Sequence, residues 1–287
     1  MRLASFRHAG RTRLCIVVSD GVVDLAVADP ALPRTLPALL AMGPKGLARA
    51  RTACEGAAAR RPLDPLALEP PVRPSKCLAI GLNYVDHVRE TGRHAPEFPL
   101  FFNKQVSCIH PPFAPVHLPR VSDELDYEGE LAIVIGRRAR HVAPEQAPEV
   151  IGGYTILNDL SVRDWQRRAP TMTLGKSFDT HGPLGPWLVT PDEIGDPHDL
   201  RLRTWINGEL RQDASTRAMI FNCFEQVATL STVMTLEPGD VISTGTPAGV
   251  GMAFEPPRFL RPGDRVRVEI ERIGHIENEV IPEPCNP

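Results

Sequence analysis

The sequence lacks the features that mark several large classes of protein. Its formal net charge is only −3, which is too small to indicate a nucleic-acid partner or a charged membrane surface as partner. It has no apolar run long enough to span a bilayer. The apolar run at residues 14–18 stops at Ser19-Asp20, so it does not resemble a secretory signal. We therefore expect neither a nucleic-acid nor a membrane partner.

Paired cysteines are also lacking. The six cysteines are scattered along the chain, and no two of them form a Cys-x-x-Cys pair. This spacing argues against a zinc ribbon and against a disulfide framework, and it favours a reducing compartment. We therefore predict a cytoplasmic protein.

A Pro-rich segment divides the chain into two parts. Residues 61–74 contain five prolines, which favours extended backbone and marks a linker or boundary. Before it, Ser19-Asp20-Gly21 predicts a strand–turn–strand unit, and an Ala- and Leu-rich stretch predicts a helix that Gly43-Pro44 divides. We predict a small N-terminal α+β domain over residues 1–70, which carries no chemistry, and a catalytic domain over residues 71–287.

The most informative stretch is an acidic strand at residues 125–136, with the sequence Leu-Asp-Tyr-Glu-Gly-Glu-Leu-Ala-Ile-Val-Ile-Gly. Side chains alternate along a strand, so Glu128 and Glu130 share a face, with about 7 Å of backbone between them. Two carboxylates beside an apolar run need a positive partner. A hard divalent cation with oxygen ligands would serve, that is magnesium, manganese or calcium. The alternatives are a solvated face, or an arginine that meets each glutamate.

A third carboxylate follows in a second predicted strand. Residues 151–160 form an apolar, Gly-containing run that ends at Asn158-Asp159. A carboxylate at the end of this strand could complete a set of three oxygen ligands with Glu128 and Glu130. The sequence therefore favours a metal site formed by two strands.

A histidine and a glutamate come earlier in the predicted catalytic region. After a short apolar strand at residues 78–80, residues 84–90 predict one or two helical turns that carry His87 and Glu90. Residues at i and i+3 are neighbours on one face of a helix. A carboxylate beside an imidazole raises the pKa of the imidazole and fixes its tautomer, as a general base requires. The alternative is an ordinary salt-bridge pair on the surface.

Several of these segments together resemble the fumarylacetoacetate hydrolase (FAH) family, in its acylpyruvase and 2-hydroxyhepta-2,4-diene-1,7-dioate isomerase-like branch. The resemblance runs from about residue 74 to about residue 280. The motifs that carry it are Tyr-Glu-Gly-Glu-Leu at 127–131, Asn-Asp at 158–159, Arg-Asp-x-Gln at 163–166, Gly-Lys-Ser-Phe-Asp at 175–179 and Thr-Gly-Thr-Pro-Ala-Gly-Val-Gly at 244–251.

The resemblance, together with helical spacing, assigns roles to nine residues. In the family, the counterparts of three carboxylates hold one Mg²⁺ or Mn²⁺, for which Ca²⁺ is a further candidate. A His–Glu pair activates water, a lysine lies in the metal pocket, and further polar residues face the substrate. The implied metal ligands are Glu128, Glu130 and Asp159, the implied catalytic residues are His87, Glu90 and Lys176, and the implied substrate-binding residue is Thr246. Arg163 and Gln166 are candidate substrate-binding residues because their i, i+3 spacing would project both into the same pocket from a helix.

One segment departs from the family pattern. Many members have Lys-Pro directly after a phenylalanine, whereas this chain has Asn103-Lys104-Gln105. The departure lies near the substrate-facing wall of the family, so it weakens the usual assignment of substrate. Lys104 could face the substrate or the solvent.

The expected fold is α+β and mainly β, with an FAH-type catalytic domain built as a β-sandwich-like roll. The expected activity is metal-dependent hydrolysis of a C–C bond in a small β-diketo acid, such as an acylpyruvate or fumarylpyruvate. Isomerisation or decarboxylation of a 2-oxo or 2-hydroxy-dienoic dicarboxylate is the alternative, and a non-catalytic ligand-binding protein is a third hypothesis. The resemblance also implies a homodimer and a role in the catabolism of aromatic compounds.

Overall fold

The computed structural model describes residues 1–64 and 67–285, and it is mainly β. The strands of the described ranges form one large sheet, a five-stranded sheet and a two-stranded sheet. The α+β, mainly β fold class predicted from the sequence is therefore confirmed. Pro65 and Leu66, in the Pro-rich segment, lie outside the described residues.

The first 55 residues form a three-stranded antiparallel unit followed by helices. The strand–turn–strand prediction is confirmed, because β2 and β3 pair around Ser19-Asp20. The predicted division of the helical stretch at Gly43-Pro44 is confirmed as well. The elements are β1 (Arg2–His8), β2 (Arg11–Val18), β3 (Gly21–Asp24), α1 (Leu25–Ala28), α2 (Leu36–Ala41) and α3 (Gly43–Glu55).

The large sheet contains the strands that position the site. Besides β1, β2 and β3, its strands are β4 (Leu68–Glu69), β5 (Cys77–Gly81), β6 (Leu100–Lys104), β7 (Ile109–His110), β10 (Gly129–Ile135), β11 (Ile151–Asn158), β13 (Gly182–Val189) and β16 (Val241–Ser243). The order of the strands is β3-β2-β1-β13-β11-β10-β16-β5-β6, with β4 paired to β1 and β7 paired to β13.

The N-terminal strands continue this sheet, since β1 pairs antiparallel with β13 through Leu3 and Leu188. Leu3 and Leu39 also share one hydrophobic core with Leu188 and Val241. Burial of apolar side chains between the two regions stabilises them jointly. The domain boundary near residue 70 stays a prediction.

The remaining strands form two smaller sheets. The five-stranded sheet has the order β15-β14-β17-β18-β8, and β9 pairs with β12. The residues Asn207-Gly208 are typical of a hairpin turn, and the structure forms one there, where φ values of 52° and 82° allow a tight two-residue turn. The strands are β8 (Val116–Leu118), β9 (Leu125–Asp126), β12 (Ser161–Val162), β14 (Arg201–Ile206), β15 (Glu209–Ser215), β17 (Arg265–Ile270) and β18 (Gly274–Pro282).

The main core lies between β10 and the five-stranded sheet. Leu131 and Ile133 of β10 share it with Leu202 of β14 and Val268 of β17. The other α-helices of the described ranges are α4 (Val85–Glu90), α5 (Arg163–Gln166), α6 (Pro191–Ile194) and α7 (Cys223–Val233). None of the helices in the described part of the chain is both long and apolar enough to cross a membrane.

The single strand expected at residues 125–136 is interrupted, which corrects the prediction. The backbone leaves the ladder at Tyr127 and Glu128, between β9 and β10. There the N–H of Tyr127 donates to Asp126 Oδ1 at 2.9 Å, and the N–H of Glu128 donates to Asn158 Oδ1 at 3.1 Å. Side-chain acceptors replace the ladder partners at these two residues, so the strand ends and restarts.

Candidate metal centre and active site

Three carboxylates converge where β10 begins and β11 ends. One oxygen each from Glu128, Glu130 and Asp159 lie within 4.8 Å of one another, and all three side chains are buried. The antiparallel register explains the convergence, because Gly129 pairs with Asn158 and the N–H of Asp159 donates to the carbonyl of Glu128 at 2.8 Å. The fold thus brings together the three residues that the sequence nominated as metal ligands.

Gly129 separates the two glutamates because no side chain fits there. A Cβ at this position would lie 2.4 Å from Thr204 Oγ1 of β14. The five-stranded sheet therefore packs directly on the backbone between Glu128 and Glu130. This close approach fixes the position of the strand that carries the site.

The charge of the three carboxylates is unevenly balanced. Burial, together with the charges of Asp159 and Glu128, raises the pKa of Glu130 well above its usual value. Burial also tends to raise the pKa of Glu128, but Lys176 and Arg163 outweigh it and lower that pKa to about 2. A divalent cation would favour the ionised form of all three groups. The all-oxygen donor set fits a hard cation such as Mg²⁺ or Mn²⁺.

Lys176 lies inside the carboxylate cluster. Its Nζ donates to Glu128 Oε2 at 2.5 Å and to Asp159 Oδ2 at 2.8 Å, and its side chain is buried. The ammonium also lies 5.1 Å from the ring centroid of Phe102. Lys176 therefore contacts two of the three implied metal ligands directly.

Lys104 belongs to the site, although the sequence did not indicate where its side chain lies. Its buried Nζ lies 2.7 Å from Asp159 Oδ1 and also donates to the carbonyl of Lys176. It faces neither the substrate cavity nor the solvent, which corrects both alternatives. Alternation along β6 could have indicated this, since Phe102 and Lys104 both point inward. Burial alone would lower the pKa of Lys104, but the charge of Asp159 outweighs it and raises that pKa.

Arg163 is held by carboxylates rather than left free for a substrate. Its Nε donates to Asp126 Oδ2 at 2.9 Å, and one terminal nitrogen lies 2.7 Å from Glu128 Oε1 and 3.0 Å from Gln166 Oε1. Asp126, which the sequence motifs did not indicate as a site residue, is fully buried and also accepts from the N–H of Gly251 at 2.7 Å. Arg163 and Gln166 still line the cavity, as predicted.

The loop after β16 supports Glu130 and carries Thr246. Ser243 Oγ and the N–H of Gly245 donate to Glu130 Oε2 at 2.5 and 2.9 Å. The hydroxyl of Thr246 donates to the carbonyl of Gly129 at 3.0 Å, although it also borders the cavity. Because a hydroxyl has a single proton to donate, the Thr246 side chain could donate to a substrate carboxylate only after this hydroxyl rotates.

The predicted His–Glu pair is present on α4. His87 Nδ1 lies 2.7 Å from Glu90 Oε1, and the imidazole is mostly buried. Glu90 is itself held, because its Oε2 accepts from the N–H of Gly249 at 2.8 Å. Gly249 has a φ of 105°, and a Cβ there would lie 1.9 Å from the carbonyl oxygen of Arg211, so this contact requires glycine.

Most of the predicted site residues line one cavity of about 470 Å³. Seven of the nine predicted residues line it. The exceptions are Glu90, which lies behind His87, and Asp159, which lies behind Lys176. The residues that line the cavity are His87, Glu128, Glu130, Arg163, Gln166, Lys176 and Thr246.

The fold and this cavity define a mainly β protein in which a buried carboxylate triad and a His–Glu pair lie at one cavity. The family model for "Fumarylacetoacetate (FAA) hydrolase C-terminal" matches residues 76–281, and the chain belongs to this family. The family predicted from the sequence motifs is thereby confirmed.

Named relatives extend the similarity to nearly the whole chain. The mitochondrial oxaloacetate tautomerase Fahd2a of Rattus norvegicus is 44% identical over 269 residues, which cover 92% of this chain and 85% of that protein. A solved structure of fumarylacetoacetate hydrolase from Exiguobacterium antarcticum is 36% identical with a TM-score of 0.86, covering 99% of this chain and 100% of that one.

A third relative bears on the metal. The crystal structure of maleylpyruvate hydrolase from Sphingobium sp. SYK-6 in complex with manganese(II) and pyruvate is 35% identical, with a TM-score of 0.80. The alignment covers 99% of this chain and 100% of that chain. A divalent metal in a relative of the same fold agrees with the all-oxygen donor set of Glu128, Glu130 and Asp159.

Proposed function

We propose that the protein catalyses the keto–enol tautomerisation of oxaloacetate or a similar small 2-oxo dicarboxylate. The observation that carries this proposal is the His87–Glu90 pair, which borders the same cavity as the carboxylate triad. Tautomerisation needs one group that moves a proton and an environment that stabilises an enolate. Curated relatives named as oxaloacetate tautomerases direct the choice of substrate.

The triad would hold the metal. Glu128, Glu130 and Asp159 would each supply a carboxylate oxygen, and Lys176 would keep Glu128 and Asp159 in place. A bound divalent cation would act as a Lewis acid that stabilises negative charge developing on neighbouring substrate oxygens. Arg163 would orient Glu128 from the other side through its 2.7 Å contact.

His87 would move the proton. Because Glu90 accepts from Nδ1–H, the proton lies on Nδ1 and the unprotonated Nε2 is the basic atom. Nε2 would take a proton from C3 of the keto form, and the imidazolium would be stabilised by Glu90. Return of that proton to the oxygen on C2 gives the enol, and the reverse sequence restores the ketone. The histidine ends each cycle neutral, so no further reactant is needed.

Hydrolysis of a C–C bond in a diketo acid is the second candidate. It is favoured by the structural likeness to maleylpyruvate hydrolase, and by the fact that His87 could instead deprotonate a water molecule. Decarboxylation, the further alternative, would need no base at this position. A non-catalytic role would leave the His87–Glu90 pair without a purpose, and the relatives described above bear the names of enzymes.

A substrate comparison tests the proposal. The purified protein is assayed with Mg²⁺ or Mn²⁺ for loss of the enol absorbance of oxaloacetate, for pyruvate release from acylpyruvates, and for CO₂ release. We expect tautomerisation to be the fastest reaction and His87→Asn to slow it. The matched control is His141→Asn, because His141 is exposed and its φ of 54° suits asparagine. Faster acylpyruvate cleavage would favour the hydrolase, and unchanged oxaloacetate kinetics in His87→Asn would refute the proton-transfer role.

The homodimer, the cytoplasmic location and the role in catabolism of aromatic compounds stay predictions. Light scattering of the purified protein over a range of micromolar concentrations tests the first of these. A constant mass close to the chain mass of 31.5 kDa would refute the dimer.

A further inference from the structure

Four basic side chains of arginine and lysine line the cavity, and they differ in how their charge is balanced. Three form ion pairs with carboxylates of the protein. The fourth, Arg93, forms no ion pair within residues 1–64 and 67–285, and its side chain is exposed at the cavity. The paired residues are Arg163 with Glu128 at 2.7 Å, Arg167 with Glu124 at 2.7 Å, and Lys176 with Glu128 at 2.5 Å.

Arg93 has a fixed backbone position relative to His87. The helix α4 ends in a Schellman motif, in which the N–H of Arg93 donates to the carbonyl of Val88 at 3.2 Å and the N–H of Gly92 donates to that of Arg89 at 3.1 Å. Gly92 has the left-handed φ of 66° that this motif requires. The motif therefore attaches Arg93 to the same short helix that carries the proton-transfer histidine.

The charges in the cavity leave one end of a dicarboxylate without a partner. A 2-oxo acid has its oxo group and first carboxylate together at one end, which suits the metal centre. A second carboxylate further along the substrate needs a cation that is not already paired. Arg163 and Lys176 each neutralise Glu128. Arginine binds carboxylates well because its guanidinium can donate two parallel hydrogen bonds.

We propose that Arg93 binds the second carboxylate of the substrate and so selects dicarboxylates over monocarboxylates. This inference rests on the proposed function, because it assumes a 2-oxo acid at the triad. The competing explanation is an ordinary solvated arginine at the rim, which would leave affinity for every ligand unchanged when it is replaced.

The test is binding by titration calorimetry to the Mg²⁺-loaded full-length protein. Oxaloacetate is compared with pyruvate, which has the same 2-oxo acid end but no second carboxylate. For Arg93→Gln we expect the Kd of oxaloacetate to rise about 10- to 100-fold, the range for one charge-assisted hydrogen bond, while the Kd of pyruvate stays the same. Arg93→Lys should lose less, because it retains the charge.

Arg89→Gln is the matched control. Arg89 lies on the same helix and is 74% exposed, but it pairs with Asp86 at 3.0 Å and is not among the residues that line the cavity in the described ranges. Its replacement should change neither Kd.

Each outcome decides between the two explanations. An unchanged Kd for oxaloacetate in Arg93→Gln, or an equal rise for both ligands, would overturn the role of Arg93. If the wild-type protein binds oxaloacetate selectively through Arg93 but does not tautomerise it, the proposed function fails and the inference stands. If the wild-type protein binds neither ligand, both are refuted.

Discussion

Replacement of Lys104 by methionine tests how the triad is held together. The Lys104 ammonium is fully buried 2.7 Å from Asp159 Oδ1. Methionine has a similar shape and no charge, so Lys176 would be the cationic partner left to Asp159 among the described residues. Removal of one partner from a buried ion pair typically costs about 3–5 kcal/mol. We expect Lys104→Met to lose free energy of unfolding in that range when no metal is present.

The assay is guanidinium-induced unfolding, with chelator and with Mg²⁺. Lys45→Met is the control, because Lys45 is exposed on α3 and methionine and lysine have similar helix propensities. That change should alter stability by less than about 0.5 kcal/mol. With Mg²⁺ the loss in Lys104→Met should become smaller, since a bound cation would compensate Asp159 in place of the ammonium.

Two results would contradict this reasoning. Equal unfolding midpoints for Lys104→Met and Lys45→Met in chelator would show that the buried pair does not stabilise the fold. An unchanged difference on addition of Mg²⁺ would show that the cation does not compensate Asp159. In addition, Lys104→Met combined with Asp159→Asn should lose less than the sum of the single changes, because the two residues share one interaction.

Three further predictions concern single residues. Glu128→Ala should abolish metal-stimulated turnover and the rise in melting temperature on addition of Mg²⁺, which differential scanning fluorimetry measures; full metal stimulation would refute the ligand assignment. His87→Ala should lower kcat about 10²- to 10⁴-fold, the usual range for loss of a general base. Its metal affinity, measured by calorimetry, should stay within a few-fold of the wild-type value. A loss of both kcat and metal affinity would contradict a pure proton-transfer role. Burial lowers the pKa of His181 to about 3, so its neutral form stabilises the fold fully above about pH 6.5, and stability is lost as the pH falls towards 3. The free energy of unfolding lost in this way amounts to about 2 kcal/mol at pH 5. Denaturant unfolding at pH 7 and pH 5 should show a smaller pH dependence of stability in His181→Gln than in the wild type. An equal pH dependence in both proteins would refute the assignment of this effect to His181.

The structure explains why His181 resists protonation. Its Nε2 lies 2.8 Å from the carbonyl oxygen of His117, so Nε2 must carry the proton of the neutral ring. Its Nδ1 is buried and has no hydrogen-bond partner among the residues that the structure describes. A second proton on Nδ1 would therefore lie in a buried position without an acceptor.

Local sequence patterns were sufficient to predict those features whose geometry is determined within one short segment. The hairpin at Asn207-Gly208 follows from residues that tolerate positive φ. The contact of His87 with Glu90 follows from helical spacing, and the motif around Glu128 and Glu130 identified the family. In each of these cases the interacting groups are within a few positions of one another, so the sequence contains the spacing directly.

Other features depend on contacts between distant segments. The interruption of the acidic strand requires Asn158 as an acceptor for the N–H of Glu128, thirty positions earlier. The buried position of Lys104 requires Asp159, which lies 55 positions later. From the sequence alone, a lysine on a strand is expected to point into solvent, because a buried charge is stable only when it is paired. The tertiary structure provides that pair by placing a carboxylate next to Lys104.

The sequence by itself determined the family, the α+β class, and the set of carboxylates and the histidine around which the site is built. The tertiary structure alone decided their charge balance. It showed that Arg163 is paired with Asp126 and Glu128, and that Lys104 supports Asp159 from behind. The physical reason is that electrostatic interactions in a buried site depend on distance and desolvation, and both are set by the packing of strands far apart in the chain.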